Sequence, residues 1–225
     1  MIDNEHKIGA VEGNSFSGKT TLVKGLESEY GFSVVWEPST YINNFPSFPP
    51  DSYWEAKKAI DVFVDIEKKR SLDAINLSNS SEFVVMDRSL WIYPAFQYVV
   101  MKRMPNIPNS YLYSLDILQE HIENGEIIAP GALVYLIPRD QNEFNKRVND
   151  RGRVDIEFLN DWDTTTMMER LFGVVIDCVY TRSNGRIAIT ADDIMEIAKE
   201  TNNFLRKSEY FVDAVLAFDQ LRILK

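Results

Sequence analysis

The sequence predicts an α/β protein, a five-stranded parallel sheet flanked by helices on both faces, and two observations carry that expectation. Short apolar segments recur at 7–12, 32–36, 83–86, 132–137 and 186–190, with longer helical patterns between them. That alternation builds parallel sheets through crossover connections. The second observation is local: the first apolar segment runs directly into Gly13-Asn14-Ser15-Phe16-Ser17-Gly18-Lys19-Thr20, which is followed by Thr21-Leu22-Val23-Lys24-Gly25-Leu26 with the apolar spacing of a helix.

In order, Lys7-Ile8-Gly9-Ala10-Val11-Glu12 reads as a buried strand and the glycine-bounded turn after it as a phosphate loop of the form G-x-x-x-x-G-K-[ST]. Gly13 and Gly18 let the backbone curl so that amides from Gly13 to Thr21 line a concave anion site. Lys19 reaches outer phosphates, Thr20 offers a hydroxyl to magnesium, and the helix opening near Gly18 turns its positive end to the same anion. Helices are expected near 19–29, 52–78, 90–103, 110–124, 140–150, 161–182 and 192–206. In such sheets ligands bind outside the carboxyl ends of the strands. Strand two ends at Glu37-Pro38, strand three at Asp87-Arg88-Ser89, and the helix after strand four leads into Lys146-Arg147 and Arg151-Gly152-Arg153.

Composition narrows the classes. With 225 residues, 45% hydrophobic and 26% charged, the chain can bury a substantial core within one domain. Its net charge of −10 argues against a broad nucleic-acid or membrane surface. No apolar run reaches the roughly 20 residues that cross a bilayer, and the first residues lack a secretory segment, so a cytoplasmic protein is expected. Cys178 is the single cysteine, with core packing as its default role. His6 and His121 stand alone, without metal-ligand spacing.

Each charged signal has a chemical reading and a plain one. Asp87 closes an apolar strand where a carboxylate positions magnesium, or caps the next helix. Arg88 offers a planar fork of donors to an acceptor. Glu37, held extended by Pro38, could take a proton from an attacking hydroxyl, or be a solvated turn residue. Arg147, Arg151 and Arg153 form a basic run in an acidic protein; Arg147 and Arg151, four apart, share a helix face. They suit a flap over a transferring phosphoryl group, or a surface helix paired with Asp150, Asp155 and Glu157. The segment 41–54, dense in aromatics and proline, supplies rings for stacking on a planar base or for packing on the body.

These residues resemble the thymidylate kinase and deoxynucleoside kinase family of P-loop kinases, over roughly residues 7–190. Glu12-Gly13-Asn14 and Glu37-Pro38 look like deoxynucleoside kinases, in which the matching glutamate is the base for the sugar 5′-hydroxyl. Asp87-Arg88-Ser89 is similar to the Asp-Arg or Glu-Arg motif of both branches, Phe96-Gln97 to a Tyr-Gln pair near the nucleotide, and Arg151-Gly152-Arg153 to the lid. The resemblance implies a P-loop NTPase fold of the nucleoside/nucleotide kinase kind, as one domain over 1–225 with a substrate-binding insertion near 38–80 and an arginine lid near 146–160. It implies transfer of the γ-phosphate of ATP, with Mg2+, to a nucleoside monophosphate or a deoxynucleoside, thymidylate or a related pyrimidine being the first to try. Lys19 and the loop would hold ATP, Thr20 and Asp87 the metal, Arg88 the acceptor, Glu37 its hydroxyl, and the lid arginines the group in flight. Trp36, Phe96 and Gln97 would join Glu37 and Arg88 at the acceptor.

Three departures keep the branches open. Trp36 stands where thymidylate kinases carry an arginine for the acceptor phosphate, and Ser15 replaces their loop aspartate. Leu90-Trp91-Ile92-Tyr93-Pro94 lacks the arginine expected for base recognition in the nucleoside branch. A nucleotide switch without kinase chemistry is a separate class, against which the missing Asn-Lys-x-Asp motif counts; a kinase of another small alcohol is a further one. A homodimer is compatible with the sequence.

Overall fold

The structure, a computed structural model, describes residues 8–152, 156–177, 179–181, 189–190, 194–207, 210–212 and 214–224. Strand β1 (Ile8–Glu12) lies at the centre of the sheet, with helix α1 (Lys19–Tyr30) leading to β2 (Ser33–Val35). A 3-10 turn, Pro38–Tyr41, precedes the long α2 (Tyr53–Ser78), then β3 (Val84–Asp87), α3 (Ile92–Arg103), α4 (Tyr111–Glu123) and β4 (Ala132–Ile137). Helices α5 (Gln141–Arg151) and α6 (Trp162–Asp177) follow, then β5 (Val179–Thr181), β6 (Ile189–Thr190), α7 (Ile194–Lys207), β7 (Tyr210–Val212) and α8 (Ala214–Ile223).

The sheet order is β2-β3-β1-β4, all parallel, with β6 at the β4 edge. Four of the five expected strands form the body of the sheet, and of the fifth, expected over 186–190, the described residues Ile189 and Thr190 pair parallel with Leu136 and Ile137 at its edge. Because β3 returns beside β1 on one side and β4 pairs on the other, the strand order reverses at β1. A ligand crevice opens at such a reversal.

Side chains alternate along each pleated strand, and because helices cover both faces both sets are buried. Ile8, Ala10, Val84, Met86, Leu133 and Tyr135 point into one apolar cluster, shared with Ile60, Trp91, Leu115, Phe172 and Phe218. Val11, Val85, Val134 and Leu136 point into the other, against Leu22, Val23 and Leu26 of α1 and Ile197, Ala198 and Leu205 of α7.

Two local outcomes differ from the sequence reading. The helix expected over 161–182 ends at Asp177, and Val179–Thr181 instead pairs antiparallel with Tyr210–Val212. Valine, tyrosine and threonine favour the strand once a partner exists. The chain end, to which the sequence assigned no role, forms α8, whose Ala214, Ala217, Phe218 and Leu221 are buried in the first cluster. Phe218 lies 4.8 Å from the Trp91 ring, and the Tyr111 hydroxyl donates to the Leu221 carbonyl at 2.8 Å. Among the described residues no helix is long and apolar enough to cross a membrane. His6, Arg153 and Cys178 lie outside the described residues.

Candidate active site

The loop from β1 to α1 has the shape its glycines require. Gly13 adopts φ 146°, and a Cβ there would stand 2.2 Å from the Leu136 carbonyl oxygen. Gly18, at φ 99°, is the N-cap of α1 and provides no side chain to the first amides of the helix. By contrast, α2 and α5 cap themselves: Ser52 accepts from the Glu55 amide at 3.2 Å and Asp140 from the Glu143 amide at 2.9 Å. The uncapped α1 end faces the crevice, where an anion can take those donors. Phe16 also has a positive φ, 67°, and its buried ring meets Phe144 of α5 edge-on at 5.8 Å. Asn14 donates to the Thr165 hydroxyl at 2.9 Å, so α5 and α6 both brace the loop.

The strand-end charges converge on this loop. The Thr20 hydroxyl donates to Asp87 Oδ2 at 3.0 Å, while Asp87 Oδ1 is buried without a partner. Lys19 folds back to donate from Nζ to the Asn14 carbonyl at 3.0 Å. Arg88, with φ 70°, donates from Nη1 to the Gly13 carbonyl at 3.2 Å and brings Nε to 3.6 Å from Glu37 Oε2. Glu12, absent from the expected site residues, is fully buried behind them. Its Oε1 accepts from the Ser89 amide and hydroxyl at 2.5 and 2.6 Å, and its Oε2 has no partner.

Burial dominates the electrostatics. It pushes Lys19 down to about 7, helped by Arg88 and opposed by Asp87, Glu12 and Glu37. It pushes Glu12 up to about 7, against the pull of Arg88, the Ser89 hydrogen bonds and Lys19. Glu37 is the exception. Burial raises it, but the hydrogen bond from Ser39, at 2.8 Å, with Arg88 and Lys19, overcomes that and holds the carboxyl below its ordinary value. Glu37 is therefore ionised at neutral pH and able to accept a proton.

Beyond Arg88 and Glu37 opens a cavity of about 300 Å³. Its walls are Phe45, Phe48, Phe63, Tyr93 and Phe96, with prolines at 38, 46, 50 and 108 and the polar groups of Gln97, Ser39 and Ser47. The aromatic segment resolves into two parts. Phe48 packs edge-on against Phe96 and Phe158, at 5.4 and 5.8 Å, and lines the cavity from there. Tyr53 and Trp54 remain exposed at the start of α2, under Lys57 and Lys58. Gln97 accepts from the Ser110 amide at 2.9 Å through Oε1, which leaves its amide nitrogen as the donor for the cavity.

Two expected residues lie elsewhere. The Trp36 side chain packs against the second cluster, on the α1 and α7 side, and is not part of the cavity wall, which corrects its expected place at the acceptor. Arg147 does not reach toward open space; its Nη1 donates to the Phe16 and Ser17 carbonyls at 3.0 and 2.8 Å, and Nη2 pairs with Glu143. Arg151 is exposed on the last turn of α5. Thr21 is exposed on the first turn of α1, and Ser15 and Ser17 complete the loop, with the Ser17 hydroxyl buried and unpaired.

Sequence reasoning missed Arg70 and Glu67 of α2. Both are fully buried and paired, and Arg70 also bonds carbonyls at the ends of β2 and β3. A signal existed: Ala56, Ile60, Val64, Ala74 and Ser78 form the buried stripe of α2, and Glu67, Arg70 and Ser71 continue it at helical spacing. Charges on an apolar stripe are buried or misplaced.

No family model and no curated protein matches the chain. Solved structures do. Deoxyadenosine kinase from M. mycoides with bound dCTP aligns at 17% identity and a TM-score of 0.62, over 88% of this chain and 99% of that one. The same kinase with dCMP and dCDP aligns at 19% identity and a TM-score of 0.60, over 88% and 98%. Thymidylate kinase from Candida albicans aligns at 12% identity and a TM-score of 0.62, over 89% and 91%. At such identities the likeness establishes the fold: an α/β fold with a parallel sheet flanked by helices, shared with nucleoside and nucleotide kinases.

Proposed function

We propose that this chain is an ATP- and magnesium-dependent phosphotransferase that moves the γ-phosphoryl group to a hydroxyl of a nucleoside held in the aromatic cavity. The observation that carries the reading is the position of Arg88. One arm of its guanidinium bonds the phosphate loop at Gly13 and another meets Glu37 at the cavity mouth. A group transferred between the two compartments passes that arginine.

The donor side fits a nucleotide with its metal. Loop amides and the α1 N-terminus would take the phosphates, and Lys19 would exchange its bond to Asn14 for an outer phosphate oxygen. Thr20 and the unpaired Oδ1 of Asp87 would hold magnesium, which would supply positive charge to the transferring phosphate. Magnesium sites on nucleotides need few protein ligands, in keeping with the absence, among the described residues, of any cluster of three His, Cys, Asp or Glu. Arg151 and Arg153, on and after the end of α5, would close over the transferring group, with Arg147 securing the loop beneath it.

The acceptor side favours a neutral hydroxyl over a monophosphate. Arg88 is the one cationic side chain among the described residues that line the cavity. A monophosphate brings close to two negative charges at neutral pH and needs more than one cation. The ionised Glu37 suits a hydroxyl, whose proton it would accept, and would repel a phosphate. The rings and the Gln97 amide suit a planar base carrying a hydrogen-bond acceptor. The solved kinases of the same fold, named for deoxyadenosine and thymidylate, support a nucleoside or nucleotide as the class.

The test is a panel of nucleosides and nucleoside monophosphates incubated with ATP and magnesium and read by product mass. Nucleosides should gain one phosphoryl group, and Glu37→Gln should lower that turnover by on the order of 10²–10⁴. Phosphorylation of monophosphates alone would replace the hydroxyl reading with the nucleotide one, and ATP hydrolysis with no acceptor product would reject both.

A further inference from the structure

Arg70 stands in the middle of α2, fully buried. An arginine out of water is tolerated only where its donors are matched. Nη1 donates to both oxygens of Glu67, at 2.8 and 2.6 Å. The remaining donors go to backbone: Nε to the Trp36 carbonyl at 3.0 Å, and Nη2 to the Asp87 and Arg88 carbonyls at 3.0 and 2.7 Å. Glu67 in turn accepts from the Tyr93 hydroxyl at 3.0 Å, and Tyr93 lines the cavity.

Those three carbonyls are a specific set. Trp36 immediately precedes Glu37, Asp87 would hold the metal, and Arg88 is the left-handed residue between loop and cavity. Where parallel strands end, their carbonyls lose their ladder partners. One planar fork here ties the ends of β2 and β3 to each other, and so fixes the spacing of the residues just beyond them. The left-handed conformation of Arg88, rare for a residue with a side chain, is held through its own carbonyl. Lysine could keep the charge and one bond to Glu67, but a point donor cannot hold both strand ends.

We propose that Arg70 is a positioning residue: by clamping the ends of β2 and β3 it sets the contact between Arg88 and Glu37 on which transfer depends, and Glu67 and Tyr93 connect that clamp to the acceptor cavity. The inference rests on the phosphotransferase reading above for its kinetic consequence, and on geometry alone for its structural one.

The experiment compares wild type with Arg70→Lys in two ways. The Glu37 carboxyl, faced by Ser39, Arg88 and Lys19, is titrated by NMR in protein labelled with 13C-glutamate, and kcat and KM are measured with the nucleoside that the panel selects. As Arg88 loses its hold on Glu37, the Glu37 midpoint should rise toward the ordinary carboxylate value. Turnover should fall by about 10²-fold, as a misplaced group costs, with KM for ATP near wild type. In a Glu37→Gln background the same substitution should add little, because both act through one contact. A lowered melting temperature with the Glu37 midpoint and kcat unchanged would reduce Arg70 to a structural role and overturn the proposal. Should Arg70→Lys fail to fold, Tyr93→Phe takes its place. It keeps the ring and removes one bond to Glu67; the midpoint should move the same way by less, and a fixed midpoint overturns the proposal. Wild type that phosphorylates no acceptor would reject the phosphotransferase reading, while the NMR midpoint would still decide the role of Arg70.

Discussion

The donor side of the site is made by consecutive residues, Gly13 to Thr20, whereas the acceptor side gathers side chains from the loop after β2, from α2 and from α3. The first is a polar surface of backbone amides with one lysine and the hydroxyls of Ser15, Ser17 and Thr20. The second is an apolar box with charge only at its mouth. A backbone site depends on local conformation and tolerates no Cβ at Gly13; a box of rings depends on tertiary packing and tolerates changes of shape. Damage on the two sides should therefore appear in different kinetic constants, and the comparison fails if it does not.

The largest separation is expected from Lys19→Ala. Lys19 is buried and, among the described residues, hydrogen-bonds the Asn14 carbonyl alone, so its removal leaves one loop carbonyl without that donor and does not disturb the core clusters. Loss of a cation aimed at developing charge should lower kcat by on the order of 10²–10³, with acceptor affinity and the circular dichroism spectrum retained. Near-normal turnover would remove the donor side from the chemistry altogether.

A smaller effect is expected on the other side. Phe96 lines the cavity and supports Phe48 and Phe158, at 5.4 and 5.5 Å. Phe96→Leu keeps an apolar side chain of similar bulk but no ring, and the loss of one aromatic contact should raise acceptor KM by about tenfold, leaving ATP affinity unchanged. Weakened ATP binding in this variant, measured by calorimetry without acceptor, would show that the two compartments are not independent.

The same contrast governs what the sequence discloses. The phosphate loop is contiguous, and glycine spacing alone implied its shape. Glu37 and Asp87 were legible because apolar strands make their ends visible, and strand ends are where the crevice lies. Arg70 was not. In Glu67-Lys68-Lys69-Arg70 it reads as one more charge on a long helix, and only the buried stripe through Ile60, Val64 and Ala74 distinguishes it from its neighbours. Trp36 was misplaced because its neighbour Glu37 does face the site, whereas the Trp36 ring packs against the second cluster, which adjacency in sequence does not report. The fifth strand was legible from the composition of Arg186-Ile187-Ala188-Ile189-Thr190, of which the described residues Ile189 and Thr190 pair parallel with Leu136 and Ile137 at the sheet edge. The tail gave no motif at all, since α8 is defined by what it covers.

The finest test of the comparison is the pH dependence of stability, because the donor side holds the buried Glu12 carboxyl and Lys19 amine, whereas the buried charges behind the acceptor box, Glu67 and Arg70, are paired with each other. Glu12 is raised from 4.5 to about 7, chiefly by burial. Across that window the folded protein holds a proton that the unfolded chain has released, so stability falls as pH rises. Lys19 is lowered from 10.5 to about 7, again chiefly by burial. Across that upper window the unfolded chain holds the extra proton, so stability rises with pH. The contribution of the pair to the ligand-free protein should thus be lowest near pH 7, a shallow minimum visible in urea midpoints against pH. Glu12→Gln, which can still accept the two Ser89 hydrogen bonds, should erase the falling limb and spare the rising one. Saturating ATP, by placing negative charge beside Lys19, should raise the lysine toward its ordinary value and flatten the rising limb, whereas nucleoside in the aromatic cavity should leave both limbs in place. A profile that nucleoside flattens as much as ATP does would mean that the acceptor reaches the buried pair, and the division between the two sides would fail.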